Sequence, residues 1–111
     1  MVQEAARAWL AETDRESGAA SWKLAGQQFQ SAIPVERWTE SLNQVRKPVG
    51  AVVERAAIST RFLKSFPGAP DGAYAMVVYR TSFAKKTDAQ ETVTLERESD
   101  GVWRVIGYFI K

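Results

Sequence analysis

The chain has 111 residues, of which 45% are hydrophobic, 11% aromatic and 25% charged, the profile of one globular domain rather than a collagen, a coiled coil or a disordered tail. It contains neither cysteine nor histidine, which removes disulfides, thiol nucleophiles, Cys/His zinc sites, haem-binding imidazole and every triad with a histidine base. Fifteen Lys and Arg against thirteen Asp and Glu leave a net charge of +2 spread along the chain. No basic stripe points to nucleic acid, and no apolar run approaches the roughly 20 residues needed to span a bilayer.

From Gln3 to about Arg15, Ala5, Ala6, Trp9, Leu10 and Thr13 recur every three to four residues in an alanine-rich background, which predicts an amphipathic helix ending near Ser17-Gly18. A second helical stretch starts at Ala19 and gathers Trp22, Ala25, Gly26, Phe29 and Ile33 on one side, with Gly26 a possible break. Pro34 suits the first position of a third helix, whose Val35, Trp38, Leu42 and Val45 form an apolar stripe while Arg37, Glu40, Asn43 and Gln44 face water; Pro48 and Gly50 close it. After Gly50 the pattern turns to β-branched and aromatic alternation. Four strands are expected, Ala51 to Phe66, Ala73 to Ala84, Ala89 to Glu98 and Val102 to Ile110. Their short connections imply an antiparallel meander, so the chain reads as a single α+β domain, helices about 3–47 and sheet about 51–110, with the helices on one face. Sixteen residues of first strand would reach roughly 50 Å, longer than a sphere of this size is wide, so that strand must bend, bulge or break. Such curvature around a helix layer makes a cone with an open end.

The last hairpin carries a register argument. A two-residue Asp100-Gly101 turn would set Arg97 against Arg104, whereas a three-residue Ser99-Asp100-Gly101 loop with a left-handed Gly101 sets Glu96 against Arg104 and Arg97 against Trp103. The second register replaces a like-charge pair with an ion pair and a cation–π contact. It sends Val93, Leu95, Trp103, Val105 and Phe109 toward the helices, with Gly107 leaving room for a helix, and places Thr92, Thr94, Glu96, Arg104, Ile106 and Tyr108 on the other face. The second strand is apolar on both faces: Ala75, Val77, Tyr79 and Phe83 alternate with Tyr74, Met76 and Val78. A sheet open to water on one side does not need this, so the far face is expected to meet a partner, most simply a second copy, or to line a cavity.

Catalytic signals are sparse. No phosphate-binding glycine loop, nucleophile elbow or EF-hand spacing occurs. Glu91, Glu96, Glu98 and Asp100 read as a solvated strand edge rather than a metal cluster, so no metal and no cofactor is expected. Glu54, within the first strand, is the one acid placed for general acid–base work, and no residue is assigned a catalytic role. The residues placed to meet a ligand or partner are Trp38, Tyr79, Arg80, Arg104 and Tyr108. Tyrosines can donate hydrogen bonds, tryptophan offers a platform, and Arg80 is a cation set in an otherwise apolar strand.

The segments Ala5-Ala6-Arg7-Ala8-Trp9-Leu10, Ser21-Trp22, Arg46-Lys47-Pro48-Val49-Gly50, Pro67-Gly68-Ala69-Pro70-Asp71-Gly72, Glu91-Thr92-Val93-Thr94 and Asp100-Gly101-Val102-Trp103-Arg104-Val105-Ile106-Gly107-Tyr108 are similar to those of the bacterial domain-of-unknown-function family 4019. The order of helices then meander also resembles the cystatin-like and nuclear-transport-factor-like superfold, whose members include small-ligand pockets, isomerases and dimerisation modules. The family resemblance implies an exported protein, periplasmic or secreted, whose leader is missing from this sequence. Isomerases of the superfold use a buried strand Asp, and this sequence has no matching one. The expectation is a non-enzymatic interaction or self-association module working through the sheet. The alternative is a binding protein for a small apolar ligand held between the sheet and the helix bearing Trp38.

Overall fold

In the computed structural model the described residues are 1–65 and 67–111. Helix α1 (Val2–Asp14) buries Val2, Ala6, Trp9, Leu10 and Thr13, the three-to-four spacing of its apolar side. It stops where Glu16 takes a left-handed backbone (φ 56°), letting the Ser17 N–H return to the Glu12 carbonyl at 3.0 Å. Ser17 in turn caps α2 (Gly18–Leu24), its hydroxyl accepting the Ala20 N–H at 3.3 Å. The expected second helix is two helices, because Ala25 and Gly26 are extended and α3 (Gln27–Ala32) starts afresh. The break is held by the sheet: the Gly26 N–H donates to the Val105 carbonyl at 2.7 Å, and a Cβ on Gly26 would lie 3.0 Å from Glu98 and Ile106. Helix α4 (Val35–Arg46) follows Pro34 and buries Trp38, Leu42 and Arg46. Its stripe ends on Arg46 and not on Val45, which is 44% exposed, because the guanidinium is drawn inward to Asp14.

The sheet is a four-stranded antiparallel meander in the order β1 (Val52–Leu63), β2 (Tyr74–Phe83), β3 (Lys86–Arg97), β4 (Trp103–Ile110). The expected end of the first strand at Phe66 falls outside the described residues. β1 is irregular twice, between Val52 and Glu54 and between Ala57 and Ser59. Such bulges bend a strand and, with Arg55 and Arg61 along it, discourage another chain from pairing with this open edge. β3 begins at Lys86, three residues earlier than expected, because Ala84 and Lys85 alone make the turn and Phe83 pairs with Lys86.

At the last hairpin Gly101 is left-handed (φ 83°), Glu96 pairs with Arg104 and Arg97 with Trp103, the expected register. The contacts themselves differ. Arg104 turns to Glu98 (2.7 Å) and Asp100 (3.0 Å) instead of Glu96, and Arg97 makes no cation–π contact with Trp103. Further along, Thr94 pairs with Gly107 but Leu95 pairs with Val105, so Ile106 is an extra residue in β4. This bulge reverses the faces expected beyond it. Tyr108 pairs with Val93 and turns inward, while Phe109 turns outward at 60% exposure and Gly107 lies on the outer face opposite Thr94.

Helix α1 covers the inner face, packing on β2, β3 and β4, with α2 and α4 behind it and α3 against β4. The core runs from Trp9, Leu10, Phe29, Trp38 and Leu42 to Ala75, Val77, Tyr79, Val93, Leu95 and Val105. Trp9 sits at its centre, 5.8 Å from the Trp38 ring and 5.1 Å from Tyr108. Ser21 joins the layers: its carbonyl accepts the Trp9 indole and its hydroxyl the Trp38 indole, each at 2.9 Å. Gly18 allows α2 and α4 to touch, since a Cβ there would fall 2.1 Å from the Thr39 hydroxyl.

Candidate functional site

Among the described residues the inner face holds one fully buried acid, Glu91. It was expected on a solvated edge. Its carboxylate instead accepts from the Arg55 Nε at 2.7 Å, the Thr81 hydroxyl at 2.6 Å and the Tyr108 hydroxyl. Arg55 continues to Asp14 through both Nη atoms (2.8 and 2.9 Å), and Asp14 also accepts from Arg46 at 3.0 Å. Arg46 donates as well to the Thr13 hydroxyl at 3.2 Å. A line of alternating charge thus ties α4, α1, β1 and β3 together. Burial works against the Arg55 charge, but its hydrogen bonds to Asp14 and Glu91 outweigh that and raise its pKa. Burial, then the adjacent Glu91 carboxylate, pushes the Tyr108 hydroxyl upward, so it stays a donor.

Every Glu91 contact is to a group of the fold, and no described cavity is lined by it. Glu54 is exposed on β1. A sequence signal for Glu91 did exist: Ala89, Glu91, Val93 and Leu95 alternate on one face, so the acid stands in an inward apolar row.

The five residues placed for ligand or partner are scattered. Trp38 is in the helical core, 4.9 Å from the Phe29 ring, and lines no described cavity. Tyr79 is fully buried beside Glu91 in the sheet, with Arg7 5.7 Å over its ring and its hydroxyl without a hydrogen-bond partner among the described residues. Tyr108 flanks the same acid from β4, so these two alone come together. Arg104 borders an open polar groove of about 720 Å³ between α3 and the β3–β4 hairpin, its charge met by Glu98 and Asp100. Glu98 also accepts the Gln27 N–H at the start of α3 at 2.7 Å. Arg80 is exposed on the outer face.

The outer face is the larger feature. One end of it is covered, where Tyr74 is fully buried with its hydroxyl accepting from Gln28 of α3 and donating to the Pro70 carbonyl; the rest is open, and its centre is neutral: Met76 and Val78 on β2, Thr92 and Thr94 on β3, Gly107 and Phe109 on β4. Met76 and Val78 are half-buried, Phe109 is 60% exposed, and the bulged Ile58 of β1 is 49% exposed. Charged residues stand around this strip, Arg61, Arg80 and Lys111 with Glu54 and Glu96. Phe109 projects from the face two residues from Gly107, where a side chain is missing.

A family model described as a protein of unknown function (DUF4019) matches residues 5–108. The chain belongs to that family. The match runs from Ala5 in α1 to Tyr108 in β4, so the DUF4019 unit includes both the Glu91 network and most of the outer face. No curated protein and no solved structure matches it. Among the described residues of this DUF4019 chain, no helix is long and apolar enough to cross a membrane, and no group of His, Cys, Asp or Glu could hold a metal ion.

Proposed function

We propose that the chain is a non-enzymatic self-association module whose interface is the uncovered face of its sheet. The observation that carries this reading is the Phe109 ring standing beside the Gly107 gap on a neutral strip with a charged rim. A projection and a gap on one surface are self-complementary: a two-fold axis between them seats each copy's Phe109 over the other's Gly107. The rim carries both signs, so the same axis can bring Glu54 or Glu96 toward Arg61 or Arg80 of the second copy. Size fits as well. Four strands about 4.8 Å apart and ten residues at about 3.3 Å give a footprint of roughly 600 Å², near the ~800 Å² that one partner contributes to a standard interface. The absence of a catalytic role is supported by Glu91, the one buried acid, being saturated by its own fold.

Sedimentation equilibrium of the full chain tests this reading. A dimer is expected, with Phe109→Glu converting it to a monomer of unchanged far-ultraviolet circular dichroism. A wild-type chain that stays monomeric at its highest soluble concentration overturns it. The exported, periplasmic setting implied by the family resemblance belongs to the same proposal, and recovery of the protein from the periplasmic fraction of its source cell tests that part.

A further inference from the structure

A second surface, independent of the outer face, lies at the end of the inner face that the helices do not reach. Near this end of the sheet the Thr60 hydroxyl of β1 accepts from Gln3 of α1 at 3.2 Å. Beyond that point Phe62 on β1 and Trp103 on β4 meet with ring centroids 6.0 Å apart, although their strands are opposite edges of the sheet. They do so by reaching across Ala75 and Leu95, where the sheet curls inward. The resulting cleft has a volume of about 270 Å³, with Gly72 and Ala73 at its side. Phe62 is 67% exposed, a large apolar surface left uncovered by the fold.

Two features give the cleft a chemical preference. Its rim carries Lys64 and Arg97, neither in an ion pair among the described residues, and no acid lines it. In addition, Trp9, Trp22 and Trp38 each donate their indole N–H within the fold, to the Ser21 carbonyl, the Ile33 carbonyl and the Ser21 hydroxyl. Trp103 is the one tryptophan whose indole N–H has no acceptor among the described residues. Two aromatic walls, two uncompensated cations and an uncommitted donor match a flat apolar body bearing one negative charge. We propose that this cleft binds a small aromatic carboxylate, its ring against Phe62 and Trp103 and its charge held by Lys64 and Arg97. A volume just below the usual ligand-pocket range limits the occupant to a compact molecule of one or two rings.

Naphthalene-2-carboxylate, its neutral analogue naphthalene-2-methanol and the cationic 2-naphthylmethylammonium, titrated into ¹⁵N-labelled full chain, test the assignment. The carboxylate should shift the Trp103 indole resonance, leave those of Trp9, Trp22 and Trp38 in place, and bind about tenfold more tightly than the alcohol, the scale of one charge-assisted hydrogen bond. The ammonium should bind least. Lys64→Glu with Arg97→Glu should abolish the preference for the anion, and Phe62→Ala should weaken all three compounds. These side chains are exposed, so the variants keep their circular dichroism. Equal binding of the three compounds, shifts confined to the other indoles, or no binding overturns the proposal. Phe109→Glu should leave the titration unchanged, which separates this site from the proposed dimer.

Discussion

Strand β2 belongs to two surfaces at once. Its inward row, Ala75, Val77, Tyr79, Thr81 and Phe83, is fully buried, whereas its outward row is buried only at Tyr74, and Met76, Val78, Arg80 and Ser82 remain half-buried or exposed. Apolarity alone does not separate these rows, since valines and aromatic or thioether side chains occur in both. The distinction lies in what neighbouring strands add beside them. Inward, β3 contributes Glu91 and β1 contributes Arg55, which reach Asp14 and so anchor α1 and α4 over that face. Outward, β3 contributes threonines and β4 a glycine, which offer nothing to hold a helix. Buried ion pairs add little net stability over apolar packing of the same shape, but removing one partner is costly. The network therefore sets where the helices sit more than how tightly they are held.

Breaking the inward anchor should have the largest effect. Glu91→Ala strands Arg55 and leaves the Thr81 and Tyr108 hydroxyls without their acceptor, so urea unfolding should show a loss of about 3–5 kcal/mol. A loss below about 1 kcal/mol would show that the apolar contacts alone place the helices.

Alkaline pH should expose the same face more gently. The Tyr108 and Tyr79 hydroxyls are both raised above the ordinary tyrosine value, chiefly by burial, so the folded chain keeps protons that the unfolded chain releases above pH about 10. Their contribution is complete below that pH and declines above it, by up to about 1.4 kcal/mol per pH unit for each tyrosine. Unfolding free energies measured from pH 8 to 11 should fall at the alkaline end, and Tyr108→Phe should reduce the slope. An unchanged slope would mean that Tyr108 meets solvent.

Outer-face changes should be smallest. Val78→Thr and Phe109→Ser should alter the unfolding free energy of the monomer by no more than about 0.5 kcal/mol, because they remove little buried area. A larger loss in dilute solution would show that this face is packed within one chain.

Much of the architecture could be read from residue spacing. The switch from three-to-four periodicity to alternation after Gly50 located the sheet, and the three-residue loop with a left-handed Gly101 matched the hairpin register, although the Glu96–Arg104 and Arg97–Trp103 contacts expected to favour it do not form. That reasoning stopped at Ile106 for a physical reason. From Val105 to Ile110 every residue except Gly107 is apolar or aromatic, so neither face is marked and a one-residue bulge leaves no trace in the pattern. Tyr108 and Phe109 consequently exchange the sides that strict alternation assigns. Glu91 was misplaced, and the burial of Arg46 went unread, for a related reason. Burying a charge requires partners, and Asp14, Arg55 and Tyr108 lie 17 to 41 residues from the groups they satisfy. The Phe62–Trp103 contact was equally hidden, because it depends on how far the sheet curls.

The Trp9–Tyr108 contact has a bearing on how the chain is made. The two rings come from α1 and β4, so this helix cannot complete its seat until β4, which follows it in the chain, has been added. The meander can zip together one hairpin at a time, but its greasy inner surface stays bare until then. Folding should accordingly finish in a single cooperative step once β4 is in place, and a version clipped before Tyr108 should attract chaperones instead of settling into a smaller fold.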